Sequence, residues 1–252
     1  MGRFRSNTLK ITRQIQVQGL EEWIAVRRHP RAHRITLRVS HTQRIAIITI
    51  PMKCDFEKAG EFLLANLDWV REQIAKIPTA IPFADGHIFN LRGIPHRILY
   101  SKDLRTEAGV VTRTSINGNH EVHVANDTDH APNLLRAWLI LQARGDLEKR
   151  VILHTTSLGL KANRISVRDQ ASRWGSCSSS GNLSFSWRLV MAPPNILDYV
   201  VAHEVAHLAE MNHGPKFWNM VSAVCPNFNE AIQWLKVNGI ELHRYGTHSR
   251  LT

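Results

Sequence analysis

The sequence predicts an α+β protein in two parts: a basic, mostly-β module over residues 1–128, then a mixed helix-and-sheet domain over 129–252. Three observations lead there. Short alternating or apolar runs separated by turn residues recur through the first half. A long run with helical periodicity begins near Pro132, and a pair of histidines four apart, His203 and His207, closes an apolar stretch further on.

Taken in order, residues 9–17 alternate apolar and polar side chains, 23–26 form a short apolar run, and 35–39 alternate again. Ser40-His41-Thr42-Gln43 reads as a hairpin turn into a strand over 45–50. One helix is expected next, with Asp55 as N-cap and Phe56, Ala59, Phe62, Leu63, Leu67, Val70 and Ile74 on its apolar stripe. Trp69 is read as packing on that helix. Strands resume over 87–91, 96–100, 110–116 and 121–124, with Asn117-Gly118-Asn119 turning the last hairpin. Asn126-Asp127-Thr128-Asp129 marks the expected boundary between the two parts.

The second part opens with a helix over 132–157 offering Leu134, Leu135, Trp138, Leu139, Leu141, Leu147, Val151 and Ile152 for burial, stopped by Gly159. A strand over 165–167, a small-residue turn from Arg173 to Ser178 and a second strand over 183–189 follow. Pro193-Pro194 punctuates before the histidine-bearing helix, and further helices are expected over 215–224 and 229–237. No internal repeat is visible.

Composition narrows the function classes. At 43% hydrophobic residues a core is affordable, yet no segment reaches the roughly 18 uninterrupted apolar residues of a membrane span. The basic start lacks an apolar stretch behind it, so no secretory signal is expected, and the formal myristoylation match at Gly2 and Ser6 is read as chance. Cys54, Cys177 and Cys225 are too few and too scattered for a disulfide framework. A cytoplasmic protein with no membrane partner is the expectation, its oligomeric state left open. The net charge of +11 is uneven: the first fifty residues hold ten Lys/Arg against Glu21 and Glu22. Such a face attracts polyanions, so a nucleic-acid partner stands beside plain solubility as its purpose.

The chemistry concentrates in His203-Glu204-Val205-Ala206-His207. On a helix, histidines four apart lie about 40° from each other around the axis, so both imidazoles can grip one Zn²⁺ while the glutamate sits beside the ion. The preceding apolar residues argue that this helix is buried, and buried histidines with a buried glutamate need partners. A catalytic zinc takes three protein ligands and keeps one position open. His213 is the leading third ligand: Asn212 and Gly214 tolerate left-handed geometry, and Pro215 can start the next helix, so the chain can fold His213 back. Glu210, seven residues after His203, is the rival ligand or a supporting acid.

Arg173-Trp174-Gly175-Ser176-Cys177, residues 182–189, the H-E-x-x-H and Asn212-His213-Gly214-Pro215-Lys216-Phe217-Trp218 together resemble the YgjP-like metallopeptidases, relatives of the SprT-like zinc proteases. Arg34-Ile35-Thr36-Leu37-Arg38-Val39 and the Trp69 helix extend the likeness over essentially the whole chain. The resemblance implies a zincin-type C-terminal domain, with His203, His207 and His213 as zinc ligands and Glu204 as base. It also implies a protein or peptide substrate, and its SprT-like relatives act on proteins bound to DNA. Of the residues nearby, Arg173 is the expected oxyanion partner or else a structural ion pair, and 182–189 the expected strand for pairing with extended substrate. Trp174 and Trp187 are read as core, Cys177 as a buried thiol with a fourth-ligand alternative, and His243 and His248 as tail residues. Two other functions use the same pieces: a metal-dependent hydrolase of nucleotides or other phosphate esters, and a nucleic-acid-binding protein with structural zinc.

Overall fold

A computed structural model describes residues 13–15 (backbone only), 24–40, 45–104, 106–107, 109–125, 130–170 and 172–246. The turn expected at 41–43, the boundary loop at 126–129, most of the strand expected over 9–17, and His248 lie outside them. The chain forms two compact units, Met1–Pro78 and Thr79–Thr252. None of the described helices is long and apolar enough to cross a membrane.

The first unit holds strands β1 (Arg13–Ile15), β2 (Ile24–Arg28), β3 (Thr36–Ser40) and β4 (Ile45–Ile50), then helices α1 (Phe56–Ala65) and α2 (Leu67–Ala75). The sheet order is β1-β2-β4-β3, with β2 and β4 parallel and both outer pairings antiparallel. One face, carrying Ile24, Val26, Ala46, Ile48 and Ile50, packs on Ala59, Leu63 and Val70 of the helices. The single helix expected from 55 onward is in fact two. Its break is at Asn66, whose side-chain amide donates to the Phe62 carbonyl at 2.7 Å and competes with helix continuation. Asp55 stands at the N-cap with extended backbone but makes no side-chain cap hydrogen bond.

The second unit repeats that wiring. Strands β5 (Ile88–Leu91), β6 (Ile94–Ser101), β7 (Val110–Thr114) and β8 (His120–Ala125) form a sheet of order β5-β6-β8-β7, again with a parallel centre and antiparallel edges. No sequence repeat announces this shared topology, because pairing order is set by contacts far apart in the chain. The β5–β6 turn places both Arg92 (φ 51°) and Gly93 (φ 78°) in the left-handed region that a tight two-residue hairpin demands. Its amides donate to the carbonyls of Val190 and Met191, tying the sheet to the segment before the histidine helix.

Helix α3 (Ala131–Leu158) ends where Gly159 turns left-handed. Leu135, Leu139, Leu147 and Val151 are buried as expected, whereas Leu141 and Ile152 are exposed. His154 is buried instead, bonded through Nε2 to Asp198 at 2.8 Å. A third sheet follows from β9 (Arg164–Arg168), β10 (Gly175–Cys177) and β11 (Asn182–Ser186). Its order is β10-β11-β9, so β11 is central, antiparallel to β10 and parallel to β9. The strand expected to continue through Leu189 stops at Ser186, and Trp187–Met191 winds into a 3-10 helix.

Helices α4 (Pro194–Ala206), α5 (Pro215–Val224) and α6 (Phe228–Asn238) complete the unit. Ile196, Leu197, Val200, Val201, Ala202, Val205 and Ala206 bury α4 on all sides, the environment expected for a helix apolar all round. Arg188 is fully buried and pairs with Asp169, and it also donates to the carbonyls of Leu242 and Tyr245, clasping the C-terminal segment. His243, read as a tail residue, is buried and stacks on Trp174 with ring centroids 4.9 Å apart.

Candidate metal centre

His203 and Glu204 sit on the last turn of α4, and His207 is its C-cap. The chain then turns through Leu208 to Asn212 and delivers His213 back toward the helix. Gly214 makes this return in extended backbone (φ −80°), not the left-handed geometry expected, and Pro215 starts α5 at once.

The three imidazoles converge. Their candidate ligand atoms lie within 4.8 Å of one another, and His203 Nε2 faces His213 Nε2 at 3.1 Å. Two ligand nitrogens on a tetrahedral zinc at about 2.0 Å would stand roughly 3.3 Å apart, so this spacing fits one shared ion. The remaining ring nitrogens are spoken for in a way that frees the facing ones. His207 Nδ1 lies 3.0 Å from the Glu210 carbonyl and donates to it, and His203 Nδ1 lies 3.4 Å from the Tyr199 hydroxyl. Burial, reinforced by His207 and His213, pushes His203 down to about 4, and burial likewise lowers His207. Neutral nitrogens with their lone pairs turned inward are a donor set for a cation. Phe217, fully buried on α5, packs its ring against all three imidazoles at centroid distances of 4.6–4.9 Å and holds the cluster from beneath.

Glu204, next to His203 on the same turn of α4, packs against β10. A Cβ on Gly175 would meet Glu204 Cγ at 2.5 Å and Oε1 at 2.7 Å, so only glycine leaves room for this carboxyl. The backbone N–H of Cys177 donates to it. Burial pushes Glu204 up to about 7, against the opposing pull of Arg173 and of that N–H. Arg173 itself is exposed, just before β10.

Among the described residues, the group able to hold a metal consists of the three histidines; Cys177 and the Glu210 carboxylate are not part of it, and Glu210 reaches His207 through its backbone carbonyl. The expected pairing strand is corrected as well: both edges of β11 are occupied, by β10 and by β9, so it has no free edge to offer. The sheet's two edge strands are β10 and β9, and β10 is the one that packs against α4. Ser186 N–H bonds the Trp174 carbonyl and Ser178 N–H bonds the Asn182 carbonyl, so the alternate residues Gly175 and Cys177 turn their backbone groups outward. Gly175 and Phe217 stand in the sequence motifs without an assigned role, and Tyr199 has none either. Tyr199 lies four residues before His203, a spacing that does place it on the same helical face.

A family model of the YgjP-like metallopeptidase domain matches residues 33–238. The chain belongs to the YgjP-like metallopeptidase family. That match spans residues of both compact units and the whole His203–His213 region. Among solved structures, the zymogen of the Pyrococcus abyssi metallopeptidase abylysin aligns with 39% of this chain and 97% of its own, at 20% identity and a TM-score of 0.34. The zymogen of Methanocaldococcus jannaschii jannalysin aligns with 35% of this chain and 96% of its own, at 23% identity and a TM-score of 0.29. No curated protein matches. As a YgjP-like metallopeptidase the chain is a hydrolase of protein or peptide substrates that uses a divalent metal, and its histidine triad is able to bind one.

Proposed function

We propose that this metallopeptidase uses zinc, held by His203, His207 and His213, with Glu204 as general base. The observation that carries the reading is the convergence of three imidazoles, two of them with Nε2 atoms 3.1 Å apart, beside a carboxyl buried against the edge of a sheet. Zinc bound there supplies a Lewis acid that polarises a carbonyl and acidifies water. Glu204 takes a proton from the water that attacks the scissile carbonyl carbon, then gives it to the departing amine as the C–N bond breaks. Gly175 and Cys177 bind the substrate as an added strand on β10, leaving Cys177 N–H to Glu204. Arg173 is the candidate donor to the oxyanion, supported by its electrostatic reach to Glu204.

All of these residues fall within 129–252, the part proposed as the catalytic domain. The basic N-terminal residues are proposed to recruit the enzyme to nucleic acid, and so to nucleic-acid-associated protein substrates. The three cysteines are free, which fits the proposed cytoplasmic location.

Metal analysis together with casein hydrolysis tests the reading. Wild type and Glu204→Gln should both hold about one zinc per chain, and the variant should hydrolyse roughly 10²–10⁴-fold more slowly. Equal rates, or turnover of a nucleotide panel in place of casein, would refute it.

A further inference from the structure

Charge is segregated within the first unit. Ile24–Ser40 carries five arginines (Arg27, Arg28, Arg31, Arg34, Arg38), no lysine and no acidic residue. Residues 51–78, which hold the helices, carry four basic and five acidic residues. Among the described residues of this unit the acids therefore lie with the helices, on the side of the sheet opposite Arg27 and Arg38.

Register settles that side. On β4, Ile48 and Ile50 face the helices, so Ile47 and Thr49 face away. Arg27 of β2 pairs with Thr49, and Arg38 of β3 pairs with Ile47. The two arginines thus flank β4 on the same face, on strands about 10 Å apart and two residues out of step. Arg27 Nε is buried with no hydrogen-bond partner, and among the described residues Arg27, Arg31, Arg34 and Arg38 form no ion pair. Burial, and after it the neighbouring Arg38, lower the pKa of Arg27, as expected of two cations on one face. Thr36 and Arg38 lie two apart on the edge strand β3, Arg34 sits at the bend just before it, and all three are exposed. Residues two apart on a strand are about 7 Å apart, comparable with the step between successive phosphates of a nucleic-acid strand.

We propose that Arg27, Arg34 and Arg38, with the Thr36 hydroxyl between them, form a phosphate-binding track for the backbone of single-stranded nucleic acid. The guanidinium fork suits phosphate oxygens and the exclusive use of arginine fits that geometry. No large apolar side chain is exposed within the described stretch Ile24–Ser40, so nothing there would enter a lipid bilayer. Contacts to phosphates alone make the binding insensitive to base sequence. The inference rests on the recruitment role proposed above and gives it an address; peptide hydrolysis is read separately, so either can fail alone.

The test is fluorescence anisotropy of the full chain with a labelled oligo-dT of about 20 nucleotides, titrated with salt from roughly 50 mM upward. Wild type and Glu204→Gln bind alike. The combined variant Arg27→Gln, Arg34→Gln, Arg38→Gln loses at least about tenfold in affinity at the low-salt end, and its plot of log K against log salt flattens by about 2, near 0.7 per lost phosphate contact. Lysine at the same three positions restores the slope. A circular-dichroism melt that matches wild type shows the glutamine variant to be folded. The proposal is overturned if wild type fails to bind at the low-salt end, if the folded glutamine variant binds with unchanged affinity and slope, or if anionic vesicles or a poly-glutamate peptide bind wild type more tightly than oligo-dT.

Discussion

Glu204 rests its carboxyl against the bare Cα of Gly175: any side chain at 175 would begin 2.5 Å from Glu204 Cγ. A glycine in a three-residue strand is thereby coupled to the proposed base on a different element. Gly175→Ala forces the carboxyl aside, and misplacement on the ångström scale costs about 10²-fold in rate. Metal content should stay near wild type, because Gly175 supplies none of the candidate ligand atoms. Parallel measurements of kcat and bound zinc check this; loss of both together would point to collapse of the site instead.

Tyr199 supports His203 from behind, with its hydroxyl 3.4 Å from Nδ1. Tyr199→Phe keeps the packing and removes only that oxygen. Outer partners of metal-binding histidines are worth roughly 10–100-fold in metal affinity, so zinc should bind at least about tenfold more weakly. Competition with a chromogenic chelator reads the change, and an unaltered affinity would remove Tyr199 from the site.

Protonation of the metal-free chain contains two opposing trends. His203, held neutral down to about 4 in the fold, takes a proton near its ordinary 6.5 when unfolded, so stability falls as pH drops from 6.5 to 4. Glu204, raised to about 7 in the fold, is protonated only near 4.5 when unfolded, so its contribution to stability grows as pH drops from 7 to 4.5. Wild type should show a shallow dependence of Tm between pH 6.5 and 4.5. Glu204→Gln removes the compensating trend, and its Tm should fall more steeply on acidification. Parallel curves for the two chelated proteins would contradict these assignments.

Arg188 is the second buried charge of consequence, bonded to Asp169 and to two carbonyls of the C-terminal segment. Arg188→Met strands both carbonyls and leaves Asp169 with Arg136 as its remaining partner. Breaking a buried pair from one side costs about 3–5 kcal/mol, which a urea titration would register as a lower midpoint.

Much of this site could be read from local spacing. Histidines four apart need only a helix to converge, and Pro215 after Gly214 signals that the chain ends one helix and starts another, which puts His213 in reach. The helix limits of α5 and α6 followed from the same local punctuation. What escaped depends on partners remote in sequence. Gly175 looks like an ordinary turn residue until Glu204, 29 positions later, is packed on it. The rank of β11 as a central strand follows from its parallel pairing with β9, which no periodicity encodes. Leu141 and Ile152 fit a helical apolar stripe, yet the face of α3 that is covered is chosen by α4, through contacts such as His154 to Asp198.

The edge strand β10 is three residues long, and one of its outward amides is committed to Glu204. On the proposed reading, few main-chain bonds are left to hold a polypeptide. Affinity for any free peptide is then low, and the choice of target passes from recognition at the cleft to effective concentration: what is tethered close by, for long enough, is what is cut.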